Sequence, residues 1–90
     1  MPLEVTLVSA DRRVWSGEAS QVIARTVEGD IGILGGHAPL LAVLAEGEIR
    51  IRPTGGEDVV AQLDGGFLSV EHNRVTVISD SASLDAGSAG

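Results

Sequence analysis

The amino-acid sequence predicts an all-β fold: a small flattened β-sandwich or barrel of short antiparallel strands, with a flexible C-terminal tail. Apolar and polar residues alternate with period two along much of the chain, which turns one face of each segment toward a core. Clusters of Gly, Pro, Asn and Asp interrupt these segments at roughly 8–12-residue spacing, as in sandwiches and barrels. No segment sustains the spacing of an amphipathic helix.

The first strand is LEVTLVS, in which Leu3, Val5 and Leu7 alternate with Glu4 and Thr6. RRVW then leads to a turn signal at Ser16-Gly17. EASQVIARTV resumes the extended pattern, with Val22, Ala24 and Thr26 opposite Gln21, Ile23 and Arg25, until Glu28-Gly29-Asp30 breaks it. The clearest alternation is EIRIR, with Ile49 and Ile51 inward and Glu48, Arg50 and Arg52 outward. Pro53-Thr54-Gly55-Gly56 turns it into DVVAQL as a hairpin. Asp64-Gly65-Gly66 turns again into FLSVE, and His72-Asn73 into RVTVIS. APLLAVLAEG is compatible with a buried strand or a short helix over 38–46, because Pro39 and Gly47 bound an apolar run without a clear period. Residues 1–84 form one sandwich domain, and the small residues of 85–90 read as a flexible tail or truncated linker.

Composition excludes several function classes. The net charge of −7 and the six scattered arginines, with no lysine, argue against nucleic acid as a partner. Without cysteine there is no disulfide, thiolate metal site or Cys nucleophile. No apolar run approaches the ~20 residues of a membrane span, so direct insertion is not expected.

The segment with the most unusual composition is GDIGILGGHAPL, Gly29 to Leu40, which reads as a loop. Catalysis there would need His37 beside a carboxylate such as Asp30, and no Gly-x-Ser-x-Gly nucleophile motif accompanies it. His37 and His72 lack metal-ligand spacing, so no metal site is assigned. The glycines lack the Gly-Lys-Ser/Thr ending of a phosphate-binding loop, and an Asp within the loop would repel an anion. They read instead as positive-φ positions of tight turns. Ile33 and Leu34 are expected to anchor the loop by burial and to leave Asp30, His37 and Ala38 outward. That pattern suits a binding surface on a rigid scaffold, with no catalytic residue and no cofactor.

LEVTLVSADRRVWSGEA, GDIGILGGHAPL and DGGFLSVEHNRVTVISDSA together resemble the epsilon-subunit family of the F-type rotary ATP synthase, over nearly the whole chain. The first block carries Val8-Ser9-Ala10 and Trp15-Ser16-Gly17 in matching places. The resemblance implies a non-catalytic rotor subunit at the foot of the central stalk, coupling the membrane c-ring to the gamma subunit during proton-driven ATP synthesis. It places Ser9, His37, Ala38 and Leu40 at the gamma interface and Gly29, Asp30 and Ile31 in the loop facing the ring. It also implies a peripheral location on the cytoplasmic face of the cell membrane. Asp30 stands where Glu is commoner, and Gly35 stands where the family usually has Pro. Family members normally continue into a C-terminal helical hairpin that inhibits ATP hydrolysis and in some cases binds ATP. The resemblance here covers the sandwich alone, so nucleotide binding is not expected of these residues. The alternative from another class is a free-standing sandwich that binds a small ligand beneath the 29–40 loop; a deep pocket with converging polar groups would favour it.

Overall fold

The computed structural model describes residues 2–85. Among them run seven strands: β1 (Leu3–Val8), β2 (Arg13–Thr26), β3 (Gly29–Leu34), β4 (Leu40–Pro53), β5 (Val59–Glu71), β6 (Arg74–Ile78) and β7 (Ala82–Leu84). Their lateral order is β1-β6-β5-β4-β2-β3, and β1 also pairs with β2. Five strands therefore close into a ring, while β3 extends β2 on one side and β7 pairs with β5. The β1–β6 pair is parallel, with Val5 opposite Val75; the other pairs are antiparallel.

The all-β expectation holds, and three strands are longer than the turn signals suggested. β2 and β4 each run for 14 residues and β5 for 13. Ser16-Gly17 is not a turn but lies inside β2, opposite Thr6 and Val5. Asp64-Gly65-Gly66 is likewise a bend within β5, where Gly65 and Gly66 take φ of 78° and 122°. A Cβ on Gly66 would fall on the Ile78 carbonyl, so the close approach of two backbones fixes glycine there. The bend lets β5 serve both halves of the sandwich: Phe67–Glu71 pairs with β6, and Ala61–Leu63 pairs with β7. The open assignment of 38–46 resolves as strand, since β4 begins at Leu40 and pairs with β5 from Leu40–Val70 onward.

The predicted turns at Pro53–Gly56 and His72-Asn73 are present. Ile51 faces Val59 across the first. In the second, His72 and Asn73 have φ of 51° and 61°, the left-handed pair of a two-residue hairpin.

The core is aliphatic. Leu3, Val5 and Leu7 of β1 meet Val22, Ile33, Ile49, Ile51, Leu68, Val70, Val75 and Val77, all at most 1% exposed. Each such side chain contributes about 1.5–3 kcal/mol by leaving water. Trp15 and Leu84 pack against the rim of this cluster. Asp85, assigned from sequence to the tail, donates its N–H to the Val60 carbonyl at 2.8 Å. Residues 86–90 of that tail lie outside the described residues.

Candidate functional site

The two outer faces of the sandwich differ in chemistry. On one, β2 and β4 present Gln21, Arg50 and Arg52, and an ion-pair chain runs across it. Arg50 lies 3.3 Å from Glu48 and 3.4 Å from Asp58, and Arg52 lies 3.4 Å from Asp58 and 3.3 Å from Gln21. Charged groups that satisfy one another in water suit a solvated face.

The opposite face is built by β1, β6 and the adjoining halves of β5 and β4, and its register arranges it in three rows. Glu4, Arg74 and Glu71 form a charged row at one end, with Arg74 3.5 Å from Glu4. Thr6, Thr76, Ser69 and Leu41 form the middle row. Val8, Ile78, Phe67 and Val43 form an apolar row at the far end. Of these, Leu41 is 73% exposed, Phe67 53%, Ile78 52% and Val43 49%. Scattered exposed apolar residues are ordinary, but adjoining large ones on one sheet face mark an interaction surface.

The composition of 29–40 is explained differently from the sequence expectation. Gly29–Leu34 is not a loop but strand β3, paired with β2 from Thr26–Gly29 to Gln21–Leu34. Ile33 is buried as expected, whereas Leu34 is 56% exposed and anchors nothing. Only Gly29 and Gly36 of its four glycines have positive φ. The β2–β3 tip is locked by Thr26, whose hydroxyl donates to the Gly29 carbonyl at 2.6 Å and accepts the Glu28 N–H at 3.1 Å. Asp30 stands exposed beside this tip, 3.4 Å from Arg25. Ile31 is half-buried against the core.

The residues assigned to one partner do not form a single cluster. Ser9 is 6% exposed, and its hydroxyl donates to Asp11 at 3.0 Å and contacts the Arg12 carbonyl at 3.3 Å. It lies beside the end of β6, where the Ser79 N–H donates to the Val8 carbonyl. His37 and Ala38 lie near the start of β6, because the Gly36 N–H is held by Asn73. The His37 Nδ1 is 2.7 Å from the Ala38 carbonyl. Ser9 and His37 thus bracket β6 from opposite ends, roughly 16 Å apart along a five-residue strand. Leu40 turns inward against the core, and its neighbour Leu41 is the exposed member of the pair.

Sequence reasoning missed Leu41, Val43, Phe67 and Ile78. A signal for Phe67 was present, since the alternation that buries Leu68 and Val70 turns Phe67 outward. The surface depressions among the described residues are open and mostly polar, such as the one lined by Ser9, Asp11, Arg12, Asp80 and Ser81. They lack the enclosed apolar cavity that a small-ligand module would use.

Residues 2–85 match the family model for the beta-sandwich domain of the ATP synthase delta/epsilon chain. The ATP synthase epsilon chain of Micrococcus luteus is 56% identical over 88 residues, covering 97% of each chain. That of Streptomyces avermitilis is 52% identical over 82 residues, covering 91% of this chain and 66% of its own. A chain in the structure of the Euglena gracilis mitochondrial ATP synthase OSCP/F1/c-ring superposes with a TM-score of 0.87 at 26% identity. That match covers 92% of this chain and 53% of the Euglena chain. The aliphatic sandwich, its apolar outer row and these matches place the chain in the ATP synthase delta/epsilon family, as its beta-sandwich domain.

Proposed function

We propose that this chain is a central-stalk subunit of an F-type ATP synthase, coupling the membrane c-ring to the gamma subunit as the rotor turns. As an epsilon chain it is a non-catalytic subunit, so its contribution is mechanical and rests on surface complementarity. Gamma docks on the outer face of β4, β5, β6 and β1, bracketed by Ser9 at one end and by His37 and Ala38 at the other. The acidic β2–β3 tip, with Gly29, Asp30 and Ile31, faces the polar loops of the ring. The complex is membrane-associated, and this chain sits on its cytoplasmic face as a peripheral component. Among the described residues no helix is long and apolar enough to cross a membrane.

The observation that carries this reading is the apolar row of half-buried Val8 with exposed Ile78, Phe67 and Val43 on one face, while the other face is laced with ion pairs. Folding alone does not call for large apolar groups there, and a permanent partner would cover them. Capture of the gamma subunit by this chain is the test. Phe67→Glu is expected to lose capture while the variant melts within a few degrees of the parent. Capture by Phe67→Glu as tight as that by the parent would remove gamma from this face.

A further inference from the structure

Gly35 and Gly36 are adjacent in the turn after β3, and Gly36 has φ 82°. Two glycines in succession give a backbone more freedom than other residue pairs do. A Cβ on Gly36 would meet nothing within 4 Å, so packing does not restrain this point either. Hydrogen bonds do. The His37 N–H donates to the Leu34 carbonyl at 3.2 Å and closes the turn. The Gly36 N–H donates to the Asn73 side-chain oxygen at 2.7 Å. The His37 Nδ1 lies 2.7 Å from the Ala38 carbonyl. Of these three bonds, two lie within the segment, and the one to Asn73 reaches the β5–β6 turn.

The bond to Ala38 fixes the chemistry of the His37 ring. A carbonyl oxygen accepts and cannot donate, so the proton of that bond sits on Nδ1. In the neutral imidazole Nε2 then carries a lone pair and no proton, and it can only accept. His37 is half-buried and its Nδ1 is already engaged. A partner group that reaches the ring through its second nitrogen therefore meets an acceptor.

We infer that Asn73 is a positioning residue for gamma binding: through Gly36 it holds the His37 ring as the Nδ1–H tautomer, and gamma recognises His37 by donating a hydrogen bond to Nε2. This inference rests on the reading of His37 as a gamma contact and adds the atom that is read. It also gives the chemistry of the gamma group, which is an N–H or O–H donor and not a carboxylate or a bare carbonyl. Asn73 acts through Gly36 and not as a contact of its own. Its left-handed backbone, φ 61°, is one that glycine also adopts, so Asn73→Gly removes the acceptor and leaves the turn.

Imidazole nitrogen and carbon chemical shifts report the tautomer. They are measured at pH 8 on the neutral ring, with His37 told apart from His72, the second histidine, by comparison with His37→Ala. In the parent, His37 is expected to be the Nδ1–H form both alone and bound to gamma. Asn73→Gly is expected to show mixed tautomers and gamma binding weaker by about three- to tenfold, as loss of preorganisation at one side chain would give. Asn73→Asp keeps an acceptor and tolerates the left-handed backbone, so it should retain the parent's tautomer and affinity. An Nε2–H ring in the free parent, or a switch to that form on binding gamma, would overturn the inference. So would an unchanged tautomer or affinity in Asn73→Gly, or an Asn73→Asp variant that behaves like Asn73→Gly. Gamma binding by His37→Ala as tight as by the parent would remove the contact itself, a failure of the docking reading at this end that leaves the free-chain tautomer as expected.

Discussion

The Asn73 side-chain oxygen accepts the Gly36 N–H at 2.7 Å, tying the turn after β3 to the β5–β6 turn across 37 residues of chain. Asn73 holds a left-handed conformation, φ 61°, while making this bond. Asparagine tolerates that backbone region and carries an acceptor, so one residue serves both turns. The tie sets His37 and Ala38 beside the start of β6.

Replacing Asn73 separates these two roles. Asn73→Ala loses the bond and strains the backbone, and should cost about 1–3 kcal/mol. Asn73→Gly keeps the backbone conformation and should cost less. Urea unfolding followed by the fluorescence of Trp15, the single tryptophan, measures both. Equal losses in the two variants would show that the φ requirement contributes nothing.

Gly66→Ala places a methyl against the Ile78 carbonyl at a residue with φ 122°. Overpacking against backbone and a strained φ together should cost roughly 2–5 kcal/mol. For a domain of this size each kcal/mol lowers the melting temperature by about 4–8 °C. Gly55→Ala is the control, because a Cβ there meets nothing within 4 Å and the backbone is not left-handed. Calorimetry should find Gly55→Ala close to the parent and Gly66→Ala far below it.

Ile49→Ala opens a cavity among fully buried neighbours and should cost about 2–5 kcal/mol. Phe67→Ser, two-thirds of the way along β5 but on the outer face, should change stability by less than about 0.5 kcal/mol. The same variant should remain soluble at higher concentration than the parent, because it interrupts the apolar row. Denaturant midpoints and a solubility limit check the pair. A large destabilisation by Phe67→Ser would mean that this side chain supports the core.

Asp58 lies between Arg50 and Arg52, and its side chain is 29% exposed. Both arginines remain largely in water, so Asp58→Asn should cost about 1 kcal/mol or less, with the loss shrinking at high salt. Thermal melts at low and high ionic strength read this directly.

Period-two alternation made much of the fold legible. Leu3, Val5, Leu7, Ile49 and Ile51 are buried where the pattern put them, with their polar neighbours on the opposite side. It was silent over Leu40–Val43 for a physical reason. Leu40 and Ala42 face inward while Leu41 and Val43 face outward, so an apolar outer surface erases the contrast on which periodicity depends. The outer side of β4 was hard to read there because both sides of this stretch are apolar. Glycine misled in a related way: Gly17 and Gly66 signal turns, yet one leaves room for the Trp15 ring and the other for a neighbouring backbone. The 29–40 segment was singled out by its composition, but what could be read was its exposure at Asp30, not its strand pairing.

The closure of β1 between β2 and β6 has a consequence for how the chain comes together. β2 follows β1 directly, whereas β6 lies about seventy residues away at Glu4–Arg74 and Val8–Ile78. The hairpins of β2–β3, β4–β5 and β5–β6 can each form from neighbouring residues. The ring itself cannot shut until β1 meets β6, five strands later in the chain. A long loop must be closed before that parallel contact is gained, which makes it a late and slow event. Until then the nascent chain carries an open seam along β1 and β6, and one end of that seam is the apolar edge of Val8 and Ile78.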